Sequence, residues 1–249
     1  MSGAFRREGA HVQLILDLAA LARKGRENQA GELALAASWG GVDSIQVRGK
    51  SYEAGELLER TRSVVASLQR AGLTVAVLVN ERLDVALLAG ADGVHLPERS
   101  LKPIWARSCR ELAAARGRGW KTPAGRTTFA VGRSVHSELE ACAEGTEELD
   151  YVLFGHVFQT GSKPGVPPRG LGALARVASV YPVPVLAVGG ITAGNAAAAI
   201  EAGAAGVAVI SAICDAQDPF EAARELRRAV DAAWASRRMR REGGACASP

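Results

Sequence analysis

The sequence predicts a single (β/α)₈ barrel, and three observations lead to that fold class. Eight short apolar strands alternate with helices along the chain, which is typical of a parallel sheet. The length of 249 residues matches a closed barrel, which typically uses about 250. The main rival, a doubly wound open sheet, needs a glycine-rich dinucleotide fingerprint after the first strand. The only candidate, G-G-I-T-A-G from Gly189, has the wrong spacing and follows the seventh strand.

Each strand is predicted from a short apolar run, and each helix from a longer amphipathic or alanine-rich segment. The run 73–79 is continuously apolar, as expected for a strand buried on both faces. The helix before it ends at Ala71-Gly72, because glycine tolerates the left-handed cap. The predicted strands are 12–18, 43–48, 73–79, 93–96, a strand through 129–132, then 150–155, 183–188 and 206–210. The predicted helices are 28–38, 53–70, 82–89, 103–115, a short segment after His136, then 171–179, 193–202 and 219–234.

The domain organisation follows from composition. Residues 1–10 are predicted to be a flexible N-terminus, 11–235 the barrel domain, and 236–249 a disordered arginine-rich tail. Within 101–127, a loop rich in Gly, Arg and Lys (116–126) has no assigned role. The net charge of +4 belongs to the two ends, since residues 9–236 carry no net charge. Binding of nucleic acid by the body of the protein is therefore not expected.

Cysteine usage and hydropathy predict a cytoplasmic protein. The four cysteines are scattered without a C-x-x-C pair, which is typical of reduced thiols in the cytosol. No apolar run reaches the roughly 18 residues of a membrane helix. Arg6-Arg7 superficially resembles a twin-arginine signal, but Asp17 interrupts the apolar stretch that follows it.

A ligand site is predicted where polar residues follow the strands, because barrel chemistry lies at the carboxyl ends of the strands. Alternation along the second strand turns two of these side chains inward. The predicted substrate-binding residues are Gln46, Arg48, Lys50, Asn80, Ser134, Thr160, Ser162, Lys163, Gly189, Gly190 and Ser211, and the predicted catalytic residue is His136.

The glycine pair after the seventh strand predicts a phosphate site. Loops after the seventh and eighth strands of such barrels commonly present backbone N–H groups to an anion. Gly189-Gly190 followed by Thr192, together with Ser211, fits this pattern. The same glycines would also suit a tight strand-to-helix turn without any ligand.

The histidines and Arg48 each allow a functional and a purely structural interpretation. His136 is either an acid–base group or a polar residue that opens a helix. His95 is expected to be a satisfied interior histidine, His156 to line the pocket or orient a loop, and His11 to lie on the surface. Arg48 inside a barrel needs a carboxylate, from the protein or from a ligand, because an unpaired buried charge is costly.

Several motifs together resemble the thiamin phosphate synthase superfamily over residues 12–225. They are S-I-Q-V-R-G-K, V-A-V-L-V-N-E-R-L-D-V-A-L-L-A-G-A-D-G-V-H-L-P, D-Y-V-L-F-G-H-V-F-Q-T-G-S-K and P-V-L-A-V-G-G-I-T. Within it, G-R-S-V-H-S followed by D-Y-V-L-F-G-H-V-F resembles the TenI branch, the thiazole tautomerases. The resemblance implies a (β/α)₈ fold, a thiazole phosphate as substrate, and the dimers that are common in this family.

Metal ligands separate the two enzymes of the superfamily. The synthase joins a pyrimidine diphosphate to the thiazole phosphate, and the family holds Mg²⁺ with aspartates in N-D-R and G-Q-E-D motifs. Here those motifs read Asn80-Glu81-Arg82 and Pro97-Glu98-Arg99-Ser100, and Gly49 replaces the glutamate of R-E-K. Because Mg²⁺ requires near-ideal oxygen geometry, the changes favour a metal-free and cofactor-free isomerase.

The resemblance then implies the roles of the site residues in a tautomerase. His136 would move the proton that aromatises the thiazole, and Arg48 would bind its carboxylate. Lys163, Thr160 and Ser162 would line the mouth, and the residues that hold the phosphate would be Gly189, Gly190 and Ser211. The open alternatives are a thiamin phosphate synthase and a non-catalytic ligand-binding regulator.

Overall fold

The fold is a closed barrel of eight parallel strands in sequential order. The structure, a computed structural model, describes residues 9–115, 129–142 and 146–245. Its strands are β1 His11–Asp17, β2 Ser44–Arg48, β3 Ala76–Asn80, β4 Gly93–Leu96, β5 Ala130–Val135, β6 Tyr151–Gly155, β7 Val185–Val188 and β8 Gly206–Val209. Each strand pairs in parallel with the next, and β8 closes onto β1. The predicted barrel is confirmed.

The barrel has two apolar regions separated by the sheet. The outward-facing strand residues, including Phe129 and Val131, pack against the helices in the larger cluster. The interior is filled by Ile15, Ala76, Leu78, Ala130, Tyr151, Leu153, Leu186 and Ala208. Alternating side chains along each strand produce this division.

One interior contact depends on a missing side chain. Gly132 of β5 lies beside Tyr151 of β6 in the register, and a Cβ at Gly132 would come within 2.2 Å of the Tyr151 ring. Small residues were predicted to line this part of β5, and Ala130 does face the interior. The space left by Gly132 is occupied by the aromatic ring, so the interior is packed rather than open.

Most helices lie between successive strands and cover the barrel. They are α1 Leu18–Ala22, α2 Ala30–Trp39, α3 Ala54–Arg70, α4 Leu83–Ala89, α5 Pro103–Ala115, α6 Gly170–Val180, α7 Ala196–Glu201, α8 Ser211–Cys214 and α9 Pro219–Ala245. Among the described residues, β5 and β6 are joined only by the 3₁₀ segments Leu139–Cys142 and Thr146–Glu148. The short helix α1, which was not predicted, begins where Asp17 accepts a hydrogen bond from the Ala20 N–H.

The last helix is longer than the sequence suggested. It continues through residues 236–245, where a disordered tail was predicted. Arg237 donates to the carbonyl oxygen of Ile200, in the last turn of α7, and to that of Ala204, just after the helix. Arg238 and Arg240 form ion pairs with Glu242 and Glu201, respectively. Arg237 thus connects the arginine-rich segment to the barrel, and the two exposed ion pairs contribute little.

The expectation that His11 lies on the surface is wrong. His11 is buried at the start of β1, and its Nε2 lies 2.8 Å from the Ser44 hydroxyl. A strand that begins at the amino-terminal face of the barrel can direct its first side chain inward, which local polarity does not reveal.

Cys109 is exposed and Cys214 is buried, and both are free thiols.

Some predictions concern residues outside the described ranges. They include the loop 116–126, Cys246 and residues 1–8, which form most of the N-terminal segment 1–10 that was predicted to be flexible. Within 9–115, 129–142 and 146–245, no helix combines the length and the hydropathy needed to cross a bilayer.

Candidate functional site

A cavity of about 530 Å³ opens at the carboxyl ends of the strands. This volume is typical of a small-molecule site. All twelve residues predicted from the sequence line it: Gln46, Arg48, Lys50, Asn80, Ser134, His136, Thr160, Ser162, Lys163, Gly189, Gly190 and Ser211. The barrel therefore brings the whole predicted set together, although a shared cavity does not assign their roles.

Gln46 and Asn80 are the buried amides of the cavity wall. Gln46 is 1% exposed, and its Nε2 has no hydrogen-bond partner of ordinary geometry within the described part of the chain. A buried amide donor without a partner is costly. A ligand with an acceptor atom at this wall would satisfy it.

Arg48 has a carboxylate partner from the protein itself. Its guanidinium forms an ion pair with Oδ2 of Asp17, while Asp17 Oδ1 accepts the Ala20 N–H at 3.0 Å. Asp17 thus caps α1 and fixes Arg48 at the same time. Asp17 also lines the cavity, and the sequence prediction missed it. The available signal was an acidic residue between a strand and a helix, a common N-cap arrangement.

Cationic side chains dominate the exposed mouth of the cavity. Lys50 follows β2 and Lys163 follows β6, and both are exposed. Arg23, just after α1, joins them and was not predicted. Convergent cations at a concave mouth raise the local concentration of anionic ligands.

His136 is held by its backbone and by one ring nitrogen. Its N–H donates to Glu140 Oε1 at 3.0 Å, and its Nδ1 lies 2.9 Å from the carbonyl oxygen of Gly155. A carbonyl can only accept, so Nδ1 carries a proton and Nε2 is the ring nitrogen left for other contacts. Nε2 lies 3.5 Å from Oε2 of Glu98, a neighbour that the sequence prediction did not include.

His95 is the satisfied interior histidine that was expected, and it also lines the cavity. Its Nδ1 lies 3.0 Å from the Tyr151 hydroxyl, and its Nε2 lies 2.9 Å from the Ser134 hydroxyl. Burial lowers the pKa of His95 to about 3, so the ring is neutral near pH 7. His156 both lines the cavity and orients the loop after β6, because its Nε2 donates to the carbonyl oxygen of Val166.

The glycine pair after β7 makes the tight turn that was the structural alternative. Gly189 and Gly190 have φ angles of +94° and +67°, which favour glycine. A Cβ at Gly190 would lie 2.3 Å from the carbonyl oxygen of Gln159. Asn195 donates to the Gly190 carbonyl and accepts from the Thr192 N–H, each at 2.8 Å. The turn is thus fixed, and it still faces the cavity together with Ser211.

The residues do not fit a magnesium site built from the protein's own carboxylates. Among the described residues, no group of three or more His, Cys, Asp or Glu side chains is close enough to hold a metal ion. Glu81 is exposed, and neither it nor Ser100 is among the described residues that line the cavity. Ser100 offers a hydroxyl where the family motif has a carboxylate, and Mg²⁺ prefers carboxylates and phosphates.

Comparison with known proteins gives one consistent result. A family model described as thiamine monophosphate synthase matches residues 18–213. A thiamine-phosphate synthase of Anaeromyxobacter dehalogenans is 45% identical over 205 residues, covering 82% of this chain and 84% of that protein. One from Thermobifida fusca is 38% identical over 232 residues, covering 93% and 97%. The structure of a thiamine phosphate pyrophosphorylase from Pyrococcus furiosus superposes with a TM-score of 0.70 at 28% identity, covering 90% and 96%.

These relatives overturn the assignment to the thiazole tautomerases. That assignment, and the isomerase activity with it, rested on G-R-S-V-H-S and on the changed metal motifs. The relatives at 37–45% identity that the comparison identified are named as synthases, which are transferases. A few altered positions in two loops therefore carried less information than the match over most of the chain.

Proposed function

The chain belongs to the thiamine monophosphate synthase family, and we propose that it couples a pyrimidine diphosphate to a thiazole phosphate. The products are thiamin phosphate and diphosphate. The observation that carries the proposal is the cavity itself, which gathers cationic side chains and a phosphate-type glycine turn around one space. Both substrates of the reaction are anions, so the cavity matches their shared chemistry.

Two parts of the cavity wall suit the two phosphorylated substrates. Arg48 ends β2, Lys50 follows it and Lys163 follows β6, whereas the glycine pair 189–190 follows β7. Several cations together suit a diphosphate, which carries more charge, and backbone N–H groups at a turn suit a single phosphate. We assign the diphosphate to the cations and the thiazole phosphate to the turn.

The coupling step develops negative charge on the departing diphosphate. Arg48, fixed by Asp17, is a pre-organised donor, and it does not need to reorient as this charge grows. Lys163 and Lys50 lie on the exposed mouth, where diphosphate can leave into solvent. No step in this scheme uses a metal ion held by protein carboxylates.

His136 is proposed as a hydrogen-bond donor to the leaving group. Its Nδ1 is occupied by the Gly155 carbonyl, so only Nε2 is free to interact with a ligand. A proton on Nε2 would donate a hydrogen bond to the departing oxygen and would remain on the ring, beside the Glu98 carboxylate. Thr160 and Ser162, on the loop that carries Lys163, add hydroxyl groups to the same wall.

The proposal is tested by incubating the purified protein with both substrates and Mg²⁺ and measuring thiamin phosphate. The wild-type protein is expected to form it, with one diphosphate released per product. Lys163→Ala should lower kcat/KM by about ten- to a hundredfold, since it removes a charge-assisted hydrogen bond. Absence of thiamin phosphate, with both substrates bound, would overturn the proposed reaction.

A surface cation provides the matched control. Arg176 is 62% exposed and pairs with Glu138 outside the cavity lining. Arg176→Ala removes the same charge but should leave kcat/KM within twofold, because surface ion pairs contribute little. Equal losses in both variants would mean that net charge, and not the cavity, binds the substrates.

A further inference from the structure

A continuous series of hydrogen bonds crosses the barrel interior beneath the cavity. It joins Gln13, Tyr151, His95 and Ser134, which we call the interior network. Gln13 Nε2 lies 3.3 Å from the Tyr151 hydroxyl, and His95 bonds both Tyr151 and Ser134 at 3.0 and 2.9 Å. Gln13, Tyr151 and His95 are at most 1% exposed, and Ser134 faces the cavity.

The amide of Gln13 sets the direction of these hydrogen bonds. Its Nε2 also donates to the Ser44 hydroxyl at 3.1 Å, so both amide protons are used. If the Gln13 amide were rotated so that its oxygen and nitrogen exchanged places, two buried N–H donors would have no acceptor. In the present orientation only the amide oxygen has no partner. Tyr151 therefore accepts from Gln13, and its own single proton is directed to His95 Nδ1.

A second amide acts on Tyr151 in the same direction. Burial raises the pKa of Tyr151, and the side chains of Gln13 and Gln46 oppose that rise, as donors facing the phenol oxygen do. The phenol oxygen thus faces donors, which leaves its proton for His95.

The tautomer of His95 follows from this direction. Because the ring is neutral and its Nδ1 accepts from Tyr151, the ring proton must be on Nε2. Nε2–H then donates to the Ser134 hydroxyl oxygen, which leaves the Ser134 proton free for a ligand. The opposite tautomer would make Ser134 donate to His95 and present a lone pair to the cavity.

We infer that the interior network is a positioning device that holds Ser134 as a hydrogen-bond donor toward an anionic oxygen of the ligand. Gln13, Tyr151 and His95 act through Ser134 and do not perform chemistry themselves. Only the identity of the ligand, a phosphoryl oxygen of a substrate, rests on the proposed function. The cations around the same cavity favour such an oxygen over a neutral acceptor.

The first test measures the tautomer directly and without a ligand. In protein labelled with ¹⁵N-histidine, a long-range ¹H–¹⁵N spectrum separates the two neutral tautomers and the charged ring. The signals of His95 are identified by their loss in His95→Gln or, if that variant does not fold, by elimination with variants of the other three histidines. A neutral ring with its proton on Nε2 from pH 6 to 8 is expected. A proton on Nδ1, or a charged ring, overturns the inference.

The second test asks whether Tyr151 acts through Ser134. The affinity for inorganic diphosphate is measured by calorimetry in the wild type, Tyr151→Phe, Ser134→Ala and the double variant. Tyr151→Phe keeps the ring beside Gly132 and should weaken binding about three- to tenfold, the effect of one hydrogen bond. In the Ser134→Ala background the same change should have no further effect.

The outcomes separate this inference from the proposed reaction. Equal effects of Tyr151→Phe in both backgrounds would show a general structural role and overturn the inference. A protein that does not make thiamin phosphate, but has the Nε2–H tautomer and the non-additive binding, would refute the coupling reaction and leave the interior network established.

Discussion

The ion pair between Asp17 and Arg48 offers the sharpest test of how the cavity is held in shape. The Asp17 and Arg48 side chains are 11% and 28% exposed, between the fully buried and the surface cases. Breaking a fully buried pair costs about 3–5 kcal/mol, and an exposed pair contributes about 0–1 kcal/mol. For Asp17→Asn we expect a loss of about 1–2 kcal/mol in the free energy of unfolding, since the amide oxygen can still cap α1 but the amide nitrogen, a donor, cannot accept from Arg48.

Asp17→Ala should cost about 1 kcal/mol more than Asp17→Asn, because it also removes the cap that binds the Ala20 N–H. Urea unfolding with an unchanged m-value measures both differences. Glu242→Gln is the control, since its pair with Arg238 is more than 60% exposed on both sides. The reasoning is refuted if Asp17→Asn lowers the free energy of unfolding no more than Glu242→Gln does. It is also refuted if Asp17→Asn causes the same loss in a protein that already carries Arg48→Met.

Three further predictions follow from the glycine turn, the buried histidine and the altered metal motif. Gly190→Ala should lower the free energy of unfolding by about 2 kcal/mol, because Gly190 has a positive φ and its added Cβ would lie 2.3 Å from a carbonyl oxygen. The control Gly194→Ala should change it by no more than about 0.5 kcal/mol, because the nearest atom to its added Cβ is 3.8 Å away. Equal losses for the two variants in urea unfolding would contradict this prediction. Below pH 6.5 the unfolded chain protonates at His95 and the folded protein does not until about pH 3, so stability should fall on acidification by up to about 1.4 kcal/mol per pH unit. His95→Gln should remove that component, and an unchanged acid slope would mean that the ring is charged when folded. Ser100→Asp should tighten Mn²⁺ binding measured by electron paramagnetic resonance, with Ser100→Asn as the size-matched control; no gain over Ser100→Asn would show that position 100 lies away from any metal.

Strand positions and the cavity lining could be predicted because both depend on local patterns. Continuous apolar runs identify strands buried on two faces, and the end of each run is the edge where the cavity forms. Alternation along β2 was enough to turn Gln46 and Arg48 inward. Even Gly93–Leu96, with only four residues, was predicted at its observed bounds.

Features that depend on tertiary contacts were not predictable in the same way. Asp17 was noted only as a break in an apolar stretch, because its two partners come from α1 and β2. His11 is polar and precedes the first apolar run, yet inside the barrel its Nε2 forms a hydrogen bond with Ser44 of the next strand. The last helix continues past Trp234 because Arg237 reaches carbonyl oxygens near α7.

The choice between the two enzymes failed for a different reason. The altered residues Glu81 and Ser100 describe a metal site, but they do not decide which reaction the remaining cavity supports. The match to the relatives extends over most of the chain and therefore covers many more positions than these two loops.

The pairing of β1 with β8 has a consequence for how the protein is made. His11 pairs with Gly206, about 200 residues further along the chain, so at roughly 5–20 residues per second the ribosome needs on the order of 10–40 s to supply this partner. During that interval one edge of β1 is open to other nascent chains. Arg227 of α9, which binds the Ala10 carbonyl and Asp43, is translated later still. β1 therefore stays incompletely paired until β8 has been synthesised.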